Sequence, residues 1–389
     1  MTTIVIGGGP AGLISAYFRA VRGEDVYLIE KNEKPGKKLY ITGKGRCNVT
    51  NAKFLNGAIR RFPPEKFMEF LSGKTKLKIE RGNRVFPLSD KASDVTKCLC
   101  AYAEEAGAEI KLNEKVLSIN ASDGKIVSVV TDKATYPCDN VIVCTGGLSY
   151  PSTGSTGDGY AFAKSFGHTI ISPVAALSGI NLKGDFYKNL QGLSLKNVAI
   201  SVVNGKKKIY SDFGEMLFTH FGVSGPTIIS ASSFINRLNL CDVYISLDLK
   251  PALTEEQLDA RVLRDFEKYK NKAIKNSFDD LLPKAMIPVI IKAAGINGDI
   301  KNNELKAENR RKIVAAIKDF RMYPHSLRDL NEAIVTSGGV SVKEIDPKTM
   351  ESKLVKGLFF AGEVIDADAL TGGFNITIAA CTAYSAGNA

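Results

Sequence analysis

The chain of 389 residues contains no tryptophan, only three histidines, and no C-x-x-C among its seven cysteines. The histidines, at positions 168, 220 and 325, show no metal-ligand spacing, so no metal is expected. The absence of a C-x-x-C argues against dithiol redox catalysis. Cys98 and Cys100 are the nearest pair, and two residues apart on an expected helix they point to different faces. No stretch approaches the roughly 18 uninterrupted apolar residues of a membrane span. Strand-like residues begin at Thr3, which leaves no room for a signal peptide. The expectation is a cytoplasmic protein with reduced thiols and no membrane contact. Internal repeats, low-complexity tracts and linkers are also lacking. What is present is the balance of a globular protein, 44% apolar and 24% charged, long enough for two or three domains at roughly 100–200 residues each.

Fifty-two Lys and Arg against 41 Asp and Glu give a net charge of +11, which favours anionic partners. The excess is local. Lys31 to Arg61 holds nine basic residues (31, 34, 37, 38, 44, 46, 53, 60 and 61) against Glu33 alone. Two readings stay open: a solvated basic face whose charges balance a bound phosphate, or a docking surface for a large anion such as ribosomal RNA or a CoA ester, weakened by salt.

Along the chain, Thr3–Ile6 reads as a strand, Pro10–Arg22 as a helix and Asp25–Glu30 as a second strand, a β-α-β opening with a parallel sheet. An amphipathic stretch at Pro64–Leu71, a helix at Ala92–Ala106, short strands near Ile110, Val116 and Ile126, and the apolar strand Val141–Cys144 continue the pattern. Ser155-Thr156-Gly157-Asp158 reads as the capped start of a helix running through Lys164. From Gln191 to Leu249 short strands alternate with turns such as Asn204-Gly205, the signature of a small antiparallel sheet or barrel. Residues 252–320 read as helical, starting at Thr254-Glu255-Glu256, with the apolar run Ala285–Ala294 as insert core rather than membrane contact. After Ser337-Gly338-Gly339 the β/α pattern resumes, with the strand Gly357–Ala361 and a last helix, Phe374–Ser385. The reading gives a first domain from 1–188 and 340–389, a barrel insert from 189–252 and 322–339, and a helical subdomain at 253–321.

Gly7, Gly9 and Gly12 form G-x-G-x-x-G between a strand and a helix that starts at Pro10. In that context Gly7 allows a tight turn, Gly9 lets backbone approach a pyrophosphate, and Gly12 lets helix and strand pack closely. The helix N-terminus adds free N–H groups and a positive dipole end. Glu30 ends the second strand, near the roughly 20-residue offset at which an acid binds ribose hydroxyls. Its carboxylate repels a 2′-phosphate, which favours FAD or NAD over NADP at this site. Two more strands run into glycine turns, Thr145-Gly146-Gly147 and Gly362-Glu363, at the sheet edge where such folds bind ligands. Thr371-Gly372-Gly373-Phe374-Asn375 opens the last helix, whose N-terminus suits the pyrimidine end of a reduced flavin.

Gly36-Lys37-Lys38-Leu39-Tyr40-Ile41-Thr42-Gly43-Lys44-Gly45-Arg46-Cys47-Asn48-Val49-Thr50-Asn51 resembles the signature loop of a bacterial flavoprotein family with a glutathione-reductase-type FAD domain. That family includes aminoacetone oxidase, a 3-dehydro-bile-acid Δ4,6-reductase and a ribosomal RNA dihydrouridine synthase. Met216–Pro226 and Gly357–Asn375 resemble its second and third signatures, so the likeness spans essentially the whole chain. It implies an α/β fold: a discontinuous Rossmann-like FAD domain with a small β-barrel insert and a helical subdomain. Carried over by position, it puts Gly7, Gly9, Ala11 and Gly12 on the pyrophosphate, Glu30 on the ribose, and Val116 on the adenine. Lys38, Thr42, Gly43, Arg46, Cys47 and Asn48 would line the ribitol and isoalloxazine, with Gly362, Glu363, Gly373, Asn375 and Ile376. Pro10, Lys31, the turn Thr145-Gly146-Gly147 and Phe374 complete the expected cofactor contacts.

Reduction of a C=C conjugated to a carbonyl unites two of the family's activities. A hydride goes to the β-carbon and a general acid protonates the α-carbon. Cys47, His220 and Tyr150 are the candidate acids, in that order. Cys47 lies in a basic loop expected to favour its thiolate, His220 in a glycine-bounded loop of the insert, and Tyr150 after the glycine turn of a central strand. His168 and His325 read as structural. The expected activity is an FAD-dependent reductase using NADH or NADPH as a transient reductant, since no second G-x-G-x-x-G is present. The substrate is a bile-acid-type or steroid enone, or uridine in ribosomal RNA. Two alternatives are an amine oxidase of the aminoacetone type that uses oxygen, and an RNA-binding flavoprotein whose FAD is structural.

Overall fold

A computed structural model describes residues 1–52 and 61–389, so Lys53 and Arg60 of the basic segment lie outside the described residues. β1 (Thr2–Ile6) is apolar after its two threonines and buried from Thr3 onward, as a parallel strand covered on both faces must be. It pairs on one side with β2 (Asp25–Ile29) and on the other with Asn140–Val143, so that Ile6 stands level with Ile29 and Val143. Leu358–Phe360 and Glu109–Lys111 complete a five-stranded parallel sheet in the order 358–360, 140–143, β1, β2, 109–111.

α1 (Pro10–Val21) buries Ala11, Leu13, Ile14, Ala16 and Ala20. The last helix, Phe374–Gly387, lies against it. Phe18 meets Tyr384 edge-on at 4.8 Å, and the buried Arg19 donates from Nε to Ala386 O at 3.0 Å while pairing with Glu24 at 3.0 Å. His168, 3% exposed, is structural: Nε2 contacts Ser352 Oγ at 2.8 Å and Nδ1 contacts Glu344 Oε2 at 3.2 Å. Burial lowers its pKa against the opposing pull of Glu344.

The chain divides into two units, 1–175 with 330–389, and 176–329. These boundaries differ from the 188 and 340 read from sequence because pairing decides membership. Ile180–Leu182 pairs with Gly222–Ser224 and with Pro324–Leu327, which places it in the second unit. Val335–Val340 pairs with Ile170–Ala176, which draws it into the first.

The second unit is built on a seven-stranded sheet whose edge strands are Phe320–Met322 and Pro324–Leu327. Only Tyr323 separates these edges in sequence, so the sheet must curl until its two ends nearly meet. The helices Glu255–Lys268, Met286–Ala293 and Ala307–Lys318 share one apolar core with this sheet, through Leu258, Val262, Ile287, Ile290, Ile313 and Ile317 beside Ile245 and Leu247. The helical segment is therefore continuous with the sheet rather than a separate subdomain. Its first helix starts with a capping box: Gln257 N donates to Thr254 Oγ1 and Thr254 N to Gln257 Oε1.

Candidate functional site

The carboxyl edge of the parallel sheet gathers the turn after each strand. After β1, Gly7 has φ +104°, and a Cβ there would lie 2.6 Å from Cys144 O. A Cβ on Gly12 would lie 1.9 Å from Gly7 O, whereas one on Gly9 would meet nothing within 4 Å. The three glycines thus serve a turn, an open approach and a close helix contact. α1 begins with Pro10, with no side-chain cap and no acid in its first turn, so its first N–H groups face that opening unneutralised.

After β2, Glu30 is 8% exposed. Its Oε2 accepts from Gly8 N at 2.7 Å, and Oε1 accepts from Asn32 N at 2.8 Å and Asn32 Nδ2 at 2.6 Å. Glu114 N donates to the backbone O of Glu30 at 3.1 Å, which ties the segment just before the strand Val116–Ser122 to the end of β2. The neighbouring Lys31 turns to Asp158 Oδ2 and Thr156 Oγ1, each at 2.6 Å. Neither Ser155 nor Thr156 caps the helix Asp158–Ser165 as expected. Its cap is Gly157 at φ +82°, and Asp158 is spent on Lys31.

Four segments converge on one polar cluster. Lys38, in α2 (Lys37–Ile41), donates to Ser149 Oγ at 2.5 Å and to Glu363 Oε2 at 2.7 Å and Oε1 at 3.0 Å. Glu363 Oε1 also accepts from Thr336 N and Ser149 Oγ, both at 2.9 Å. Thr336 Oγ1 in turn accepts from Leu148 N and Ser149 N. Sequence reading named Lys38 and Glu363 but missed Ser149 and Thr336, since nothing local marks them. Gly147 packs here because a Cβ would stand 2.4 Å from Thr336 Oγ1. Gly362 lies beside the first turn of α1, where its Cβ would be 2.8 Å from that of Ala11. At the last helix, Gly373 is the uncapped N-terminus at φ +95°. Asn375 uses its side chain on Ala369, donating to its O at 2.7 Å and accepting from its N at 2.9 Å.

The signature loop departs from expectation at two residues. Arg46 does not support its neighbour: it pairs with Asp90 and Glu80 and lies 4.2 Å over the Phe86 ring. Cys47, at φ 57°, turns inward and is fully buried. Burial pushes its thiol up to about 12, so the expected thiolate is overturned. We expect Cys47 to resist iodoacetamide in the native protein at pH 8 and to react once denatured. Rapid native alkylation would contradict this placement.

Tyr150 also has positive φ, 53°, and is held by its N–H to Leu330 O at 3.1 Å. His220 belongs to the second unit, exposed on the turn between Lys207–Thr219 and Gly222–Ser224, edge-on to Phe221 at 5.1 Å. Much of the described basic segment is already neutralised: Lys31, Lys37, Lys38 and Arg46 are all in ion pairs. Lys34 lies over the Tyr40 ring, and Arg61 donates to Lys348 O.

A family model described as HI0933-like protein Rossmann domain matches residues 1–389. The chain belongs to that family. It is a Rossmann-type flavoprotein of the oxidoreductase class. The chain is similar to a 3-dehydro-bile acid delta(4,6)-reductase of Clostridium scindens, with 28% identity covering 99% of this chain and 98% of the relative. It is also similar to a ribosomal RNA dihydrouridine synthase of Haemophilus influenzae, with 29% identity covering 98% and 96%. Among solved structures, a 3-ketosteroid-delta4-(5alpha)-dehydrogenase from Rhodococcus jostii RHA1 shares the fold, with TM-score 0.54 and 14% identity over 99% of this chain and 95% of that one.

The residues of this family member fit a dinucleotide. Besides the open face at Gly9, the Asn48 Oδ1 and Thr145 Oγ1 atoms are buried without a hydrogen-bond partner, and both lie in segments expected to line the cofactor. Among the described residues no group of His, Cys, Asp and Glu could hold a metal ion, and no helix is long and apolar enough to cross a membrane.

Proposed function

We propose that the protein is an FAD-dependent reductase of a C=C conjugated to a carbonyl. One observation carries this reading. Two near-full-length relatives are named for different substrates, yet a delta(4,6)-reductase and a dihydrouridine synthase share one reaction, saturation of an activated double bond. Bound FAD would supply the hydride, replenished by NADH or NADPH.

The chain's own residues have distinct parts in this reading. The first turn of α1, with Gly7, Gly9 and Gly12, holds the pyrophosphate, and Glu30, oriented by Gly8 and Asn32, takes the ribose. Val116 borders the adenine. Asn48 offers its unpartnered oxygen to the cofactor, and the Thr145 turn borders it. The Lys38–Glu363 pair and the uncapped N-terminus of the last helix place charge and dipole at the flavin end. The substrate's α-carbon needs a proton. Cys47 is poorly suited to give it, because a buried thiol held near 12 releases a proton reluctantly. Tyr150, in the same unit as the nucleotide turn, is the donor this reading retains.

An anaerobic titration with NADH and with NADPH, following the yellow flavin band, tests the proposal. Bleaching by either nicotinamide, followed by recovery of the band on adding a 3-oxo-Δ4 steroid or uridine-containing ribosomal RNA, is the expected result. A band that persists with both and bleaches with an amine would assign the protein to the oxidases.

A further inference from the structure

The sheet order places β2 on one side of β1 and Asn140–Val143 on the other. All three strands run parallel and end at the same edge. The loops that follow the two flanking strands can therefore meet only by passing the end of β1, where the Gly7–Gly12 turn lies. They do meet, and at three points. Lys31 Nζ reaches Thr156 Oγ1 and Asp158 Oδ2, both at 2.6 Å. Asn32 Nδ2 reaches Thr153 O at 3.2 Å while still holding Glu30 Oε1. Lys38 Nζ reaches Ser149 Oγ at 2.5 Å.

The crossing is fitted to this route. Gly154 has φ +105°, and a Cβ there would stand 2.5 Å from Asn32 Nδ2, so no larger residue could admit the Asn32 amide. On the inner side, Gly36 N donates to Gly8 O at 2.8 Å, which ties the same loop to the turn beneath it. Lys31 and Asp158 are about three-quarters buried, at 25% and 28% exposure, so their pair is shielded more than a surface pair is.

We propose that these two loops form a cross-strap over the dinucleotide turn that controls entry and exit of FAD, with Lys31, Asn32 and Asp158 as its positioning residues. The proposal rests on the reading that this turn holds FAD. Because the ties join protein to protein, breaking them lowers the barrier in both directions. Exchange then becomes faster while the binding equilibrium moves little. A contact residue on the cofactor would behave differently, raising the release rate and weakening affinity together.

The test uses the holoprotein. FAD release is followed by the rise of its fluorescence on dilution, and the dissociation constant is measured by titrating FAD back into apoprotein. For Lys31→Met, and likewise for Lys31→Met combined with Asp158→Ala, release should quicken by about tenfold or more, equivalent to about 1.4 kcal/mol of barrier. The dissociation constant should change by less than about threefold. The exchanged pair Lys31→Asp with Asp158→Lys should bring release back toward the original rate, which separates loss of the tie from general damage. Lys74→Ala, which removes a pair with the exposed Glu105 elsewhere in the same unit, is the control and should leave release unchanged. Release at the original rate in the double variant would overturn the strap while leaving FAD binding intact. Affinity lost in proportion to release would make these residues ordinary contacts and overturn it as well. A wild-type protein that binds no FAD would overturn the cofactor reading and the strap with it.

Discussion

Gly12→Ala is expected to yield a colourless protein that is less stable by about 3 kcal/mol. The added methyl would stand 1.9 Å from Gly7 O, and that oxygen has nowhere to retreat. Gly7 N is committed to Ile29 O at 2.9 Å, and the far side of Gly7 already rests against Cys144 O. Relief therefore requires α1 to lift from β1, which opens the core at Leu13 and Ile14 and displaces the N–H groups assigned to the pyrophosphate. Denaturant unfolding together with the flavin absorbance of the purified protein checks both consequences. Retained colour and an unchanged midpoint would show that the turn is looser than its geometry implies.

The second large effect concerns the node where Lys38 meets Glu363. Both side chains are about one-fifth exposed, at 22% and 20%. Lys38→Met leaves Glu363 ionised with only the Ser149 hydroxyl and the Thr336 N–H. Glu363→Leu leaves an ammonium with Ser149 alone. Each single change should cost about 2 kcal/mol after allowance for partial solvent screening. The double variant should cost less than the sum, with a coupling of about 1–2 kcal/mol, because it leaves no orphaned charge. Denaturant midpoints of the four proteins give this cycle directly. Simple additivity would mean that the pair contributes no specific interaction.

The features that sequence carried well were local ones. A glycine triplet between an apolar run and a helical period forms its own turn, so β1, α1 and β2 were readable, as was the capped helix at Thr254. What depended on distant partners was not. Ile180–Leu182 is three residues long, and only its pairing with Pro324–Leu327 shows which unit owns it. Thr156 reads as a helix cap because the residue that engages its hydroxyl, Lys31, lies 125 positions earlier. Arg46 stands next to Cys47 in sequence, yet a left-handed turn at Cys47 sends the thiol inward while Arg46 finds acids at positions 80 and 90. Adjacent residues in a tight loop often face opposite environments, and a charge there is a poor guide to a neighbour's pKa. Lys38 and Glu363 were both expected at the cofactor, but their bond to each other and to Ser149 and Thr336 required four segments to be brought together.

The division of the first unit into 1–175 and 330–389 also governs how it can be made. On the ribosome, the strand Asn140–Val143 emerges long before its outer neighbour, Leu358–Phe360, and α1 waits longer still for the helix that covers it. At synthesis rates of 5–20 residues per second the interval between those strands is roughly 10–40 s. Throughout that time the nascent sheet has an unpaired apolar edge, while the contiguous 176–329 segment already contains all of its own core. Completion of the nucleotide site is thus one of the last events of biogenesis, and the half-made sheet is the form most in need of chaperone protection.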